Sequence, residues 1–132
     1  MGMPLDARVK EIIDEPVFAH VATVGPDGHP QNTVMWIDRD GDNLLLNTAA
    51  GRAKWRNISN DPRVGISVSP VDAPYLNLSL KGRVTEMRTS DGDEVIDRLA
   101  HKYLGVDEYP YRQAGEVRVT MLVEVESVAG NR

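Results

Sequence analysis

The chain has 132 residues, a length that fits one folded domain with its own core. Acidic residues outnumber basic ones by 20 to 15, so the formal net charge is −5, and we do not expect nucleic acid or an anionic membrane as a general partner. The sequence contains no cysteine, which excludes disulfides and thiolate chemistry, and no apolar stretch reaches the roughly 18 residues of a membrane-spanning helix.

The N-terminal third predicts one helix and three strands. Apolar side chains fall on one face of a helix over residues 5–14, which ends near Pro16. A turn-rich segment, GPDGHP, separates the first two strands. The pair Asp40 and Gly41 indicates a hairpin before the third strand. These three strands are predicted at residues 17–24, 31–38 and 43–48.

The rest of the chain predicts three more strands and two helices. A short basic helix follows the third strand and stops at Asp61-Pro62. Ser90 and Asp93 have the spacing of a capping box, which predicts the start of a second helix. Apolar and polar side chains alternate in the remaining strands, which are predicted at residues 63–69, 75–86 and 116–126.

Six strands at short intervals, joined mostly by tight turns, predict an antiparallel sheet. Closing that sheet into a small barrel with helices at its ends removes the exposed edges. We therefore expect a mainly β fold, a six-stranded antiparallel barrel with short flanking helices, built as a single domain over residues 1–132.

A cluster of basic residues lies at the start of the helix that follows the third strand. Basic side chains at a helix N-terminus oppose the helix dipole unless an anion binds there. Arg52 and Lys54 lie about 200° apart on a regular helix, so they can meet at one ligand only if Arg52 precedes the first turn. Gly51 permits such a bend. The alternative is a solvated basic surface that includes Arg56.

Other polar residues have simpler explanations. Asn47 and Thr48 either donate to the same anion or cap the helix. His20 is expected to be structural, and His29 and His101 to be exposed, so we predict no metal site. Lys102, beside His101, is expected to be a surface residue without a role in binding.

The order of these elements resembles the split β-barrel flavin- and deazaflavin-binding proteins, the pyridoxamine-phosphate-oxidase-like superfamily. The likeness covers roughly residues 5–128 and is greatest to the actinobacterial coenzyme F420-dependent reductases. Its motifs are a G-x-P turn at residues 28–30, G-R-A-K-x-R-N at residues 51–57, D-P-R at residues 61–63, and a strand that ends in glycine, YLNLSLKGRV, at residues 75–84.

The resemblance implies a cofactor site for a deazaflavin or a flavin such as FMN. Arg52, Ala53 and Lys54 match the motif that binds the cofactor phosphate, and Asn47 and Thr48 match the small polar positions before it. Thr33, Val34 and Met35 match the strand beside the cofactor ring. Tyr75 matches an aromatic position that lines the pocket of the other subunit in a homodimer.

The function implied is hydride transfer from reduced F420 to an unsaturated or polycyclic small molecule in the cytoplasm. Two alternatives remain open: an FMN-dependent oxidoreductase of the same fold, and a non-catalytic protein that binds a flavin, haem or bilin. The sequence identifies neither the physiological substrate nor a catalytic proton donor. Pyridoxamine phosphate oxidase activity is not expected, because the longer C-terminal part of those enzymes is missing from the sequence.

Overall fold

The computed structural model describes residues 2–131, and in this range the chain forms three helices and seven strands. The helices are α1 (Ala7–Asp14), α2 (Ala53–Asn60) and α3 (Gly92–Leu104). The strands are β1 (Ala19–Val24), β2 (Pro30–Met35), β3 (Asp38–Asp40), β4 (Asn43–Ala49), β5 (Arg63–Val68), β6 (Asn77–Arg88) and β7 (Arg118–Asn131).

All seven strands belong to one antiparallel sheet in the order β2-β1-β5-β6-β7-β4-β3. The two edge strands, β2 and β3, are consecutive in the chain, with only Trp36 and Ile37 between them. Their nearest ends are therefore no more than about 11 Å apart, because successive Cα atoms are separated by about 3.8 Å. The sheet must curl until its edges approach each other. This confirms the mainly β split-barrel fold.

The predicted strand count of six is wrong by one. The strand expected over residues 31–38 ends at Met35, and Asp38 begins β3, which pairs with β4. Ile37 is fully buried in the barrel core, whereas Trp36 packs against the separate apolar cluster of α3. The two side chains diverge where the chain crosses from one sheet edge to the other, and strand pairing is interrupted there.

Branched aliphatic side chains fill the barrel interior, and α1 closes one end. Asp6 caps α1 by accepting a 2.9 Å hydrogen bond from the backbone N–H of Val9. Ile12 and Ile13 are fully buried in the core. They pack with residues from the inner faces of the strands, among them Leu44, Leu46, Leu78, Leu80, Met121 and Val123.

Helix α3 lies outside the barrel and packs on β7 and β4. It starts without the predicted capping box: its N-cap residue is Asp91, and no side chain caps it. The Asp91 carboxylate instead pairs with Arg88 at 2.8 Å. The first helical residue, Gly92, lies so close to β7 that a Cβ atom there would be 2.0 Å from the carbonyl oxygen of Arg118.

The C-terminal half of α3 is fixed by two polar side chains. The Nζ of Lys102 donates to the carbonyl oxygens of Ile13 and Ile37 at 2.5 and 2.6 Å. The Tyr103 hydroxyl donates to the carbonyl oxygen of Val17 and accepts the Ile37 N–H at 3.0 Å; burial raises its pKa to about 12. The expectation that Lys102 is a free surface residue is therefore wrong, because two backbone carbonyls in the interior use its donors.

Candidate functional site

A cavity of about 250 Å³ lies outside the barrel, where the end of β2, the start of α2 and α3 meet. Its lining combines apolar and aromatic side chains with cationic and amide side chains. The lining residues are Phe18, Val34, Met35, Trp36, Asn47, Arg52, Lys54, Ile96, Leu99, Tyr109, Tyr111 and Arg118.

The turn between β4 and α2 brings Arg52 and Lys54 to the same cavity. Gly51 has a positive φ of 91°, a conformation that glycine adopts without steric cost. Arg52 is the N-cap residue of α2 and has extended backbone angles, so it precedes the first helical turn. This is the arrangement that the spacing of the two cations requires. Ile58 and Trp55 hold the other side of α2 against the core.

The N-terminus of α2 has an unbalanced positive charge. No side chain of the described residues caps it, and its first turn contains no acidic residue. The unpaired N–H groups of a first turn and the helix dipole both favour an anion. Two cationic side chains beside such an end are unfavourable unless an anion binds between them.

This excess positive charge affects the ionisation of Lys54. Burial, reinforced by repulsion from Arg52 and Arg118, lowers the pKa of its ammonium group below the ordinary value of 10.5. Within residues 2–131, no hydrogen bond or ion pair with a carboxylate holds this side chain. An anion in the cavity would supply the missing partner.

Arg118 is a cavity residue that sequence reasoning missed. The alternation of β7 placed it among the polar, outward positions, yet it is only 4% exposed because α3 covers this face of β7. Its Nε donates to the Oδ1 of Asn47 at 2.9 Å, and Asn47 in turn donates to the Gly92 carbonyl at 2.9 Å. A sequence signal did exist: Glu116 and Arg118 are two apart, the spacing that places opposite charges on one strand face.

Glu116 is the only carboxylate among the described residues that pairs with these cations. Its Oε1 accepts from the Nη1 of Arg118 at 3.2 Å, and its Oε2 lies 3.4 Å from the Nη2 of Arg52. Arg52 and Arg118 therefore share one carboxylate, and Lys54 pairs with none among the described residues.

Part of the cavity wall is aromatic and is formed by Trp36, Tyr109 and Tyr111. Trp36 stacks on Tyr103 with ring centroids 5.2 Å apart and meets the edge of Tyr109 at 6.0 Å. Tyr109 also contacts Tyr111 edge-on at 5.7 Å and covers the Arg118 guanidinium at 5.2 Å. Such a surface suits a flat, conjugated ligand.

The structure brings together five of the nine residues predicted to bind the cofactor. Val34, Met35, Asn47, Arg52 and Lys54 line the cavity, and Ala53 lies between the two cations as the first residue of α2. The other three have different surroundings. Thr33 faces away from Val34 on β2, Thr48 is buried with an unpaired hydroxyl that does not line the cavity, and Tyr75 is exposed in the loop before β6.

The described part of the chain holds neither a cluster of metal ligands nor a membrane-spanning helix. Residues 2–131 contain no group of three or more histidine, aspartate or glutamate residues positioned to hold a metal ion. None of the three helices in this range is long and apolar enough to span a membrane.

The residues that line the cavity at the start of α2 fit the phosphate end of a flavin-type coenzyme. An uncapped helix N-terminus with Arg52, Lys54 and a buried arginine supplies charge-assisted donors for a phosphate. The neighbouring aromatic wall supplies a surface for a planar ring system. β2 is an edge strand, so every second backbone N–H and C=O along it is free of β1 and can meet the polar edge of such a ring.

Comparison with known proteins agrees with this arrangement. The family model described as pyridoxamine 5'-phosphate oxidase matches residues 5–131. The chain belongs to the pyridoxamine 5'-phosphate oxidase family. Members of this family share a flavin-binding split barrel, so the fold and the type of ligand agree with the cavity.

Among solved structures, an F420 reductase is 32% identical to this chain, with a TM-score of 0.81; the match covers 91% of this chain and 94% of the reductase. A conserved hypothetical protein from Mycobacterium tuberculosis is 22% identical, with a TM-score of 0.75 over 98% of this chain and 86% of that one. HupZ of Group A Streptococcus is 19% identical, with a TM-score of 0.68 over 96% of this chain and 93% of HupZ. The last two likenesses establish the fold alone.

Proposed function

We propose that this family member is an F420-dependent oxidoreductase that transfers a hydride from reduced F420 to an unsaturated or polycyclic small molecule. The observation that carries the proposal is the uncapped start of α2, where Arg52 and Lys54 face one cavity beside an aromatic wall. The 32% identity to an F420 reductase supports the deazaflavin over FMN.

When bound, reduced F420 would supply the hydride, and the residues of the chain would bind, orient and exclude water. Arg52 and Lys54 would hold the phosphate and so orient the ring. Free backbone N–H groups between Asn32 and Met35 would donate to the polar edge of the ring. Val34, Trp36 and Tyr109 would exclude water from it. We assign no side chain as a proton donor.

We further propose that the active form is a cytoplasmic homodimer with two cofactor sites at its interface. The cavity of one chain, about 250 Å³, is smaller than the roughly 300–1,000 Å³ of typical ligand pockets. Phe18 and Val34, at its rim, are 60% and 57% exposed. A second subunit would complete the pocket and cover these apolar side chains, and Tyr75 is the residue we expect it to contribute.

The function is tested by titrating the full chain with F420 and with FMN, and by following oxidation of reduced F420 by an enone or quinone. We expect micromolar or tighter F420 binding and turnover with at least one acceptor. Failure to bind F420 at micromolar concentrations would exclude the proposal.

The cation site is tested separately. Replacing both Arg52 and Lys54 with alanine should weaken F420 binding by several kcal/mol, because each loses a charge-assisted hydrogen bond of about 1.5–3 kcal/mol. Lys81→Ala is a matched control, since Lys81 is exposed on β6 and does not line the cavity. Equal affinities of the double variant and the control would show that the basic cluster is only a charged surface.

FMN is the second candidate, because the family is flavin-binding. Yellow protein purified from a host that makes no F420 would favour FMN. Tight binding of a flavin, haem or bilin without turnover of any acceptor would instead indicate a non-catalytic binding protein.

A further inference from the structure

Arg118 resembles a ligand-binding residue more than a structural ion-pair partner. Its side chain is almost fully buried. In such an environment each N–H donor of an arginine that burial removes from water needs another hydrogen-bond partner. Nε is bonded to Asn47 and Nη1 to Glu116, but no hydrogen bond of the described residues uses Nη2. The side chain nevertheless lines the cavity.

The Arg118 guanidinium is also held in a fixed orientation. Asn47 fixes one edge, Glu116 fixes a second, and the Tyr109 ring covers it at 5.2 Å. Asn47 is itself fixed by its bond to the Gly92 carbonyl. A planar fork oriented in this way can donate to a phosphate at low entropic cost, because its side chain is ordered before the ligand arrives.

Glu116 has the geometry of an internal substitute for an anionic ligand. Its contact with Arg52, 3.4 Å, is long compared with the 2.7–2.9 Å or so of a strong charge-assisted hydrogen bond. Arg52 is half exposed, whereas Glu116 is buried with Arg118. An entering phosphate can therefore take Arg52 away from Glu116 without breaking the ion pair between Glu116 and Arg118.

We propose that Arg118 is a third binding residue for the phosphate of the coenzyme, and that Glu116 is the displaceable anion that holds Arg52 until the phosphate binds. The inference rests on the proposed function for the identity of the coenzyme. Anion binding itself can be measured without any coenzyme.

The test compares F420 with the same chromophore lacking its phosphate, on the full chain. Arg118→Met should weaken binding of the phosphorylated form about 10-fold to 100-fold, the effect of losing one charge-assisted hydrogen bond. Binding of the phosphate-free chromophore should change by less than about twofold. Glu116→Gln should strengthen binding of the phosphorylated form several-fold, because Arg52 loses its internal competitor.

Two outcomes would overturn the proposal. An equal loss of affinity for both chromophores in Arg118→Met would show that the residue only supports the fold. Weaker binding of the phosphorylated form in Glu116→Gln would show that the carboxylate is not displaced.

A coenzyme-free measurement remains decisive if Arg118→Met does not fold or if the chain binds no F420. Titration of the wild-type chain with inorganic pyrophosphate should shift the Nε–H NMR resonance of Arg118 more than that of Arg63. Arg63 is the control because it is exposed and paired with Asp61 at 2.6 Å. An unmoved Arg118 resonance at millimolar pyrophosphate would overturn the anion site, whereas a shift without F420 binding would contradict only the proposed function.

Discussion

Lys54 links coenzyme affinity to pH. Burial and the charges of Arg52 and Arg118 lower its pKa in the ligand-free chain, and a bound phosphate would raise it again by favouring the charged form. Binding therefore takes up a proton at pH values between the free and bound pKa. We predict that affinity for phosphorylated coenzyme is constant at lower pH and falls as pH rises through the lowered pKa of Lys54, which binding titrations across the alkaline range will measure.

Lys54→Arg is the control for this prediction. Arginine stays protonated throughout the range. Any slope that remains in Lys54→Arg therefore comes from groups other than Lys54. If its slope equals that of the wild type, Lys54 does not bind the phosphate.

Lys102 is predicted to contribute to stability rather than to binding. Replacing it with methionine removes the Nζ donor that the carbonyl oxygens of Ile13 and Ile37 share, which should lower the free energy of unfolding by roughly 1–3 kcal/mol. Urea unfolding measures this loss, and F420 affinity should stay unchanged. His101→Ala changes the exposed neighbour on the same helix; equal stability of the two variants would contradict the prediction.

Residue type and spacing drew attention to Arg52 and Lys54, because basic side chains at a helix N-terminus oppose the helix dipole. The pattern alone left a solvated basic surface as the alternative, and the phosphate role was implied by the family resemblance. The environments of Arg118 and Lys102 were not predictable, because an apolar pattern identifies one face of a strand or helix without showing what covers the other face. α3 covers the outer face of β7, and Lys102 reaches carbonyls from two distant segments. Both facts depend on tertiary packing.

At the scale of elements, the contact between α3 and β7 positions the site. A Cβ atom at residue 92 would lie 2.0 Å from the carbonyl oxygen of Arg118, a backbone atom that cannot move aside alone. Gly92→Ala should therefore push α3 from β7 and lower the free energy of unfolding by about 1–3 kcal/mol or more. F420 affinity should fall too, because Asn47 bonds both to Gly92 and to Arg118.

Gly105→Ala tests the opposite end of the same helix. Gly105 has a positive φ of 71° and open space around it, so alanine there should cost about 1–2 kcal/mol through backbone strain alone. Its F420 affinity should equal that of the wild type. If both glycine variants leave affinity unchanged, the position of α3 does not control the site.

The strands were easier to predict than their ends. An apolar run identified β4, which is buried on both faces. Alternation identified β5 and β6 nearly in full, because one face of each is buried in the barrel. The sequence pattern failed at Trp36 and Ile37, where both side chains are apolar but pack into different clusters. The capping box at Ser90 failed for a similar reason. Close packing of Gly92 on β7 sets the start of α3, and local capping chemistry does not.

For the whole molecule, closure of the sheet could be predicted because an open sheet would expose long edges. The complete site could not, since the pocket that we propose is shared between two subunits. Tyr75 shows why one chain is not enough for such a prediction: it is 83% exposed and does not line the cavity of its own chain. Its predicted role requires a second copy, whose position no pattern within one chain can encode.

Subunit mixing tests whether Tyr75 serves the cavity of a partner chain. One parent protein carries Tyr75→Ala, and the other carries alanine at both Arg52 and Lys54. If Tyr75 acts across the interface, a mixed dimer has one intact site, formed by the cations of the first chain and Tyr75 of the second. After random exchange at equal concentrations, about a quarter of all sites should bind F420 with wild-type affinity, because half of the dimers are mixed and one of the two sites in each mixed dimer is intact.

The two parent proteins, each measured alone, are the controls and should show no site of wild-type affinity. If Tyr75 instead serves its own chain, neither site of a mixed dimer is intact, because one lacks the tyrosine and the other lacks the cations. The mixture would then bind no better than its parents, and the shared-site proposal would be wrong. Tyr75→Ala alone binding F420 like the wild type would remove Tyr75 from the site altogether, while leaving the roles of Arg52 and Lys54 to their own tests.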